Sequence, residues 1–196
     1  MAVGQIFLAA AKEINARVGD QMLISMTEFT LREAAREDVP SLIRLCKETI
    51  YEVYGPILSA EALVPWVEGN AAEALIEEQW PRMIVAEMGV GGEVMGVAAA
   101  SEDAVDLLWV HPSHHREGIG TALLGRVEAE LQKKGHRTIK LSCFSQNLRA
   151  MSFYLKRGWT VASEGRNEEA EAPETRMVKS LIEEDRHGDT MKMRLC

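Results

Sequence analysis

One stretch of this chain, from His111 to Leu124, constrains the fold more than any other. An apolar run from Val105 to Val110 enters this stretch, a helical pattern leaves it, and Gly118 and Gly120 lie at the junction. A glycine turn of this kind directs backbone N–H groups and a helix N-terminus at one point, which attracts phosphate. The sequence therefore predicts a strand–loop–helix unit that holds the phosphates of a nucleotide-like cofactor.

Two common phosphate-binding loops do not fit this stretch. A Walker A loop requires the pattern Gly-x-x-x-x-Gly-Lys-Ser/Thr, and this pattern is absent. A dinucleotide fingerprint requires a third glycine where this chain has Leu123, and an acidic ribose partner where it has Lys140. The loop is therefore expected to serve a different cofactor.

Hydrophobic periodicity and turn residues predict eleven elements in the order β, α, α, β, β, β, α, β, α, β, β. The predicted strands cover residues 29–33, 82–87, 93–100, 104–110, 138–144, 159–163 and 174–181, and the predicted helices cover residues 38–50, 60–80, 119–134 and 147–157. The charged, alanine-rich segment 164–174 is expected to be a flexible loop. This order predicts a fold of the broad α/β class, in the form of an α+β mixed sheet. Helices would cover that one sheet in a single domain.

The domain is expected to occupy residues 26–182. Apolar residues at helical spacing predict an N-terminal helical extension over residues 1–25, which would pack on the domain or on a second subunit. Residues 183–196 are expected to form a polar C-terminal tail.

Composition excludes several classes of partner. The net charge of -8 argues against a nucleic-acid backbone as the main partner. No apolar run reaches the ~20 residues that a membrane span needs, so no membrane association is expected. The three cysteines lie far apart and no export signal precedes the domain, which indicates reduced thiols and a cytoplasmic location.

Two motifs lie one strand apart in the middle of the chain. Residues 108–112 read Leu-Trp-Val-His-Pro, and residues 115–120 read His-Arg-Glu-Gly-Ile-Gly. Residues 147–159 read Asn-Leu-Arg-Ala-Met-Ser-Phe-Tyr-Leu-Lys-Arg-Gly-Trp. Over residues 29–181 the chain thus resembles the GNAT superfamily of acetyl-CoA-dependent N-acetyltransferases. The family's loop begins with arginine or glutamine where this chain has His115, and Arg116 follows directly.

This resemblance implies a fold and a reaction. The central sheet is expected to splay between the strands 104–110 and 138–144. Acetyl-CoA is the implied co-substrate, and a primary amine would attack its acetyl group directly in a ternary complex. The alternative function is a non-catalytic module that binds acetyl-CoA and regulates a partner.

The resemblance also assigns roles to residues of this chain. Backbone groups near Trp109 and Val110 would bind pantetheine and polarise the acetyl carbonyl, and Tyr154 would be the general acid toward the sulfur. Tyr154 also follows Ala150 at helical spacing, which leaves packed core as the alternative for this residue. Asn147 alternatively caps its helix, a role that is compatible with cofactor binding. The implied cofactor-binding residues are Trp109, Val110, His115, Arg116, Glu117, Gly118, Ile119, Gly120, Thr121, Asn147 and Tyr154.

The general base is less well defined by the sequence. Many family members carry an acidic residue on the strand before the glycine loop, at a position that Ala104 fills here. Asp106 lies two residues further on and shares that strand face, so Asp106 is the predicted catalytic base, acting directly or through water. Glu102 and Asp103 in the preceding turn are alternatives.

The residues 47–80 are expected to select the acceptor, because that segment does so in the family. Aromatic and acidic side chains there favour a small cationic amine over a peptide or protein amine, although a helix pair with solvated charges explains the same pattern. These side chains are Tyr51, Tyr54, Trp66, Glu48, Glu52, Glu61 and Glu68. A homodimer is expected from the family likeness and the extra N-terminal helix.

Other reactive side chains carry weaker signals. The adjacent pair His114 and His115 lacks carboxylate partners in sequence, so no metal site is expected. Cys143 shares a strand face with apolar residues, which predicts an inert thiol rather than an acyl-cysteine nucleophile.

Overall fold

The computed structural model of the protein describes residues 28–182. The predicted helix at 1–25 and the predicted tail at 183–196 lie outside these residues, so the expected subunit contact of that helix stays a prediction.

The core of the fold is a seven-stranded sheet with the strand order β1-β2-β3-β4-β5-β7-β6. Only β4 and β5 run parallel, and every other neighbouring pair is antiparallel. The mixed sheet expected from the element order is therefore confirmed. The strands are β1 Phe29–Glu33, β2 Met83–Met88, β3 Val94–Ser101, β4 Ala104–Val110, β5 Thr138–Phe144, β6 Thr160–Asn167 and β7 Ala172–Ser180.

Five α-helices lie between the strands in the described part of the chain, residues 28–182. They are α1 Val39–Thr49, α2 Ala60–Val67, α3 Ala71–Gln79, α4 Ile119–Lys133 and α5 Leu148–Leu155. A single 3-10 turn, Arg36–Asp38, leads into α1, and a π-helical turn, Ile50–Tyr54, extends it.

The helices cover the two faces of the sheet. On one face, α4 buries Leu123, Val127 and Leu131 against the sheet, and Trp159 lies in the same cluster at 1% exposure. On the other face, α1 and α3 pack their apolar residues against β2 and β3. These three helices, α1, α3 and α4, are each held by the burial of apolar residues on one face, the main source of helix stability in a protein.

The sheet splays between its two parallel strands. β4 and β5 pair only at Ala104 and Lys140, and the adjacent Lys140 N–H donates to the Asp103 carbonyl at 2.9 Å. Beyond this point β5 stays paired with β7 along its whole length, while β4 stays paired with β3. The β5-facing edge of β4 is therefore open toward its Val110 end, as the resemblance implied.

Two element predictions were wrong. Residues 60–80 form two helices, because α2 ends at Val67 and the chain turns at Gly69, where a Cβ atom would lie 2.6 Å from the Pro65 carbonyl oxygen. Residues 164–174 are mostly strand, because β6 is an edge strand with exposed side chains on both faces. An exposed edge strand carries the polar composition that otherwise indicates a loop.

No helix within residues 28–182 is long and apolar enough to cross a membrane.

Candidate active site

The open edge of β4 forms a wall of a cleft of about 710 Å³. Leu108 and Val110 line the cleft from β4, Gly120 and Thr121 line it from the start of α4, and α5 forms the opposite wall. A cleft of this size is in the range that binds small molecules and cofactors.

The glycine turn builds an anion site at one end of the cleft. Arg116 has a φ of 71° and Gly118 a φ of 88°, so two left-handed residues turn the chain from the strand into α4. Gly118 is the N-cap of α4 and no side chain caps this end of the helix. The N–H groups of the first turn, Ile119 to Thr121, have no acceptor within the helix and carry its positive dipole end. This end of the cleft fits a diphosphate.

His115 occupies the first position of the loop motif but carries no charge toward the cleft. Its Nε2–H group donates to the Val110 carbonyl at 2.8 Å, and its Nδ1 atom is buried without a partner among the described residues. Burial lowers the pKa of His115 below its usual value, so the ring is neutral near pH 7. The positive charge of the cleft must therefore come from other residues.

Four cations supply that charge. Arg116 projects from the loop, and Arg149, Lys156 and Arg157 lie on α5 and the turn that follows it. No aspartate or glutamate among residues 28–182 lines the same cleft, although the whole chain carries a net charge of -8. This separation of charge fits an anionic cofactor with several phosphates.

Tyr154 lies on the inner wall of the cleft and is also part of the core. Its ring packs edge-on against Phe153 and Trp159, with centroid distances of 5.2 and 5.9 Å, and its exposed fraction is 8%. Burial raises the pKa of the Tyr154 phenol above its usual value, with a smaller contribution from the neighbouring phenol of Tyr54. The phenol is therefore protonated at neutral pH and available as a proton donor.

Asn147 caps α5 at the edge of the cleft. Its Oδ1 atom accepts a hydrogen bond from the Ala150 N–H at 3.1 Å, and the residue also lines the cleft. The cap uses the amide oxygen and leaves the Nδ2 donors for a ligand.

Most of the residues predicted for the site meet in this one cleft. The residues that line it are Val110, His115, Arg116, Gly118, Gly120, Thr121, Asn147 and Tyr154. Three others do not line it: Ile119 is buried in the core, the Trp109 side chain packs toward α1, and Glu117 pairs with His114 at 3.1 Å.

The structure does not bring Asp106 to the cleft. The register between β3 and β4 shifts at Ala99 and Ala100, which makes Asp106 the extra residue of a β-bulge. Its exposed carboxylate accepts a hydrogen bond from the Ser101 hydroxyl at 3.0 Å and lies 3.5 Å from Arg82. Proton transfer from the cleft to Asp106 would have to pass through water, and its role as a base stays a prediction.

The other reactive side chains have local partners. His111 pairs with Glu48 at 3.0 Å and accepts a hydrogen bond from the Ser113 N–H, so it caps the turn after β4. The Cys143 thiol lies 3.2 Å from the Met151 sulfur, and burial raises its pKa to about 11, so it is a protonated thiol at neutral pH. Within residues 28–182 no three metal-ligating side chains are grouped closely enough to hold a metal ion.

A second hollow of about 440 Å³ adjoins the cleft. It shares Val53, His115, Asn147 and Arg149 with the cleft and adds Glu52 from the π-helical turn after α1. The hollow thus brings one carboxylate close to an otherwise cationic cleft.

The splayed mixed sheet, with its glycine turn at the edge of the cleft, is the fold of known acetyltransferase structures. The chain belongs to the acetyltransferase (GNAT) family, whose model matches residues 48–159.

Related proteins agree with this assignment. The chain is 26% identical over 145 residues to a spermidine N(1)-acetyltransferase from Thermoplasma acidophilum, covering 67% of this chain and 88% of that protein. It spans 36% and 50% of the length of two Bacillus subtilis relatives, YxbD and YdhI.

Solved structures show the same fold. The GCN5-related N-acetyltransferase from Rhodopseudomonas palustris has a TM-score of 0.69 at 22% identity, covering 81% of this chain and 99% of that chain. The paiA N-acetyltransferase from Thermoplasma acidophilum, in complex with coenzyme A, has a TM-score of 0.64 at 23% identity, covering 78% and 99%.

Proposed function

We propose that the protein transfers an acetyl group from acetyl-CoA to the primary amine of a small cationic acceptor, by direct attack in a ternary complex. The observation that carries this proposal is a single cleft in which a helix N-terminus, four cations and a protonated phenol converge.

The binding of acetyl-CoA follows from the order of groups along the cleft. The N–H groups of residues 116–121 hold the diphosphate, and the side-chain amide of Asn147 binds the pantetheine arm. The open edge of β4 near Val110 offers backbone groups to the acyl end. The thioester supplies an activated acetyl group, and the protein supplies its alignment.

In the transfer step, the amine nitrogen forms a bond to the acetyl carbon and the carbon–sulfur bond breaks. The attacking amine loses one proton to water or to a base. The departing sulfur gains one proton from the phenol of Tyr154, which must be protonated to act. The raised pKa of Tyr154 meets that requirement at neutral pH.

The acceptor is assigned to the hollow beside the cleft. Glu52 and Arg149 both line this hollow, and the carboxylate of Glu52 gives an ammonium group a partner there that an anionic acceptor would lack. The similarity to a spermidine acetyltransferase supports the same class of acceptor.

The test is the release of free CoA thiol from acetyl-CoA in the presence of polyamines, small monoamines, amino acids and peptides with a free amine. We expect the fastest release with a polyamine or diamine, and mass spectrometry should find one added acetyl group on the acceptor. Tight binding of acetyl-CoA without turnover on any acceptor would instead support the regulatory module.

A matched pair of variants tests the acceptor assignment. Glu52→Gln should raise the KM for a diamine about tenfold and leave kcat within about twofold, because one ion pair with the substrate is lost. Glu78→Gln, on the exposed face of α3, is the control. Equal KM values in both variants would contradict the assignment.

A further inference from the structure

The hollow beside the cleft has an apolar side in addition to its carboxylate. Val53, Ile57, Pro112 and Leu148 line it, and they come from the segment after α1, the turn after β4 and the start of α5. We call these four residues the apolar wall. Because Val53 also lines the cleft, the wall is continuous with the cleft. A ligand that extends from the cleft into the hollow therefore meets apolar side chains.

Leu148 is the most exposed member of the apolar wall. It is the first residue of α5, it directly follows the Asn147 cap, and it is 74% exposed. A leucine this exposed contributes little to the core of the protein. Its apolar surface stays in contact with water until a ligand covers it, and removing such surface from water is favourable. A hydrocarbon chain in the hollow would cover Leu148.

The charges of the hollow suit one ammonium group. Within residues 28–182, Glu52 is the one acidic residue and Arg149 the one arginine that line it. Glu52 and Arg149 form no ion pair with each other, so the carboxylate is open to a ligand. A second ammonium group beside the apolar wall would have no carboxylate partner and would be repelled by Arg149.

We propose that the acceptor is an alkyl diamine whose uninterrupted hydrocarbon segment lies along the apolar wall, while its second ammonium group meets Glu52. The protein then prefers such a diamine to a polyamine that carries charged nitrogens inside its chain. This proposal rests on the proposed function, because it assumes that an amine is acetylated in the cleft. It narrows the acceptor from a small cationic amine to one with a hydrocarbon spacer.

The first test measures kcat/KM for n-alkylamines from propylamine to hexylamine with saturating acetyl-CoA. These amines have nearly the same pKa and differ only in the length of the hydrocarbon chain. Burial of each added methylene against the wall should raise kcat/KM about two- to fourfold. A kcat/KM that does not rise with chain length would overturn the proposal.

A matched pair of variants assigns this rise to the apolar wall. Leu148→Asn should reduce the gain in kcat/KM per methylene, because an amide replaces the apolar surface. Leu155→Asn is the control, since Leu155 is 50% exposed, lies seven residues later on the same helix and lines neither the cleft nor the hollow. A change in folding alone would alter kcat/KM for every amine by the same factor. Equal gains per methylene in both variants would overturn the proposal.

The second test compares 1,8-diaminooctane with spermidine. Their terminal nitrogens are separated by chains of equal length, and spermidine carries an ammonium group where the diamine carries a methylene. We expect kcat/KM to be about tenfold higher for the diamine, because the hollow offers the inner ammonium group no partner.

The outcomes separate this proposal from the proposed function. A kcat/KM for spermidine equal to or above that for 1,8-diaminooctane would overturn the proposal and leave the acetyltransferase activity intact. A protein that binds acetyl-CoA and acetylates none of these amines would overturn the proposed function, and the proposal with it.

Discussion

Tyr154 illustrates how one residue serves both the core and the cleft. Its ring packs against Trp159 inside the α4-side core, while the residue lines the cleft that the glycine turn opens. The sequence left packed core and general acid as alternatives; the structure shows the packing, and the role as general acid stays a prediction. The packing fixes the ring, so that the hydroxyl has a defined position relative to a bound thioester.

The first prediction concerns this hydroxyl. Tyr154→Phe keeps the ring and its packing and removes only the proton donor. We expect kcat to fall about 10²- to 10⁴-fold, the typical contribution of a general acid, while the affinity for CoA stays within about twofold. Steady-state kinetics and calorimetry on the same preparation measure both quantities. An unchanged kcat would remove Tyr154 from the mechanism.

Individual residues also show where sequence reasoning stops. The residues of the two motifs could be predicted as site residues because the motifs fix both the residue types and the spacing between them. Asp106 could not be placed, because a β-bulge leaves no mark in the alternation of side chains. The cations of α5 were missed because charged residues on a short helix usually indicate a solvated face. The sequence did contain a signal for them, namely the spacing of these cations relative to Phe153 and Tyr154 in the same motif.

At the scale of elements, the start of α4 determines whether the anion site exists. Gly118 holds a φ of 88° directly before the helix, and a Cβ atom there would meet no atom within 4 Å. Any cost of a side chain at this position therefore comes from the backbone conformation rather than from a clash.

This gives a second prediction with an internal control. Gly118→Ala should lower the free energy of unfolding by about 1 kcal/mol and weaken CoA binding, because the turn relaxes away from left-handed geometry. Gly125→Ala lies inside α4 with open space around its Cβ position, and should raise the free energy of unfolding by about 1 kcal/mol. Chemical denaturation measures both changes. Equal effects of the two substitutions would contradict the account of the turn.

The elements themselves were largely predictable, with two instructive exceptions. The periodicity of hydrophobic residues, together with turn residues, identified α1, α4 and all seven strands in the correct order. The break at Gly69 was missed because apolar residues continue on both sides of it. The outer half of β6 was missed because this edge strand has no buried face, so its sequence shows no alternation of apolar and polar side chains.

At the scale of the whole molecule, one buried ion network joins distant parts of the chain. Arg32 on β1 binds both carboxylate oxygens of Asp38 at 2.6 and 2.9 Å, and its Nε atom binds Glu87 on β2 at 2.9 Å. The Asp38 and Glu87 side chains are both buried. The hydrogen bonds from Arg32 lower the pKa of Asp38 and the pKa of Glu87 below their usual values.

The third prediction follows from the sign of these shifts. A carboxylate whose pKa is lower in the folded protein stabilises the fold above its unfolded pKa of about 4, and this contribution is lost as the pH falls through the folded value. The melting temperature of the wild-type protein should therefore fall as the pH drops below about 4. Arg32→Met should melt at a lower temperature at pH 7, and the gap between the two proteins should close at acid pH. A gap that stays constant from pH 7 to pH 3 would contradict this assignment.

The account depends most on the position of coenzyme A in the cleft between the open edge of β4 and α5. A crystal structure of the protein with coenzyme A measures that position directly. We predict that the diphosphate accepts hydrogen bonds from N–H groups of residues 116–121 and that the sulfur lies beside the hydroxyl of Tyr154. A coenzyme bound elsewhere, or a sulfur remote from Tyr154, would contradict the account.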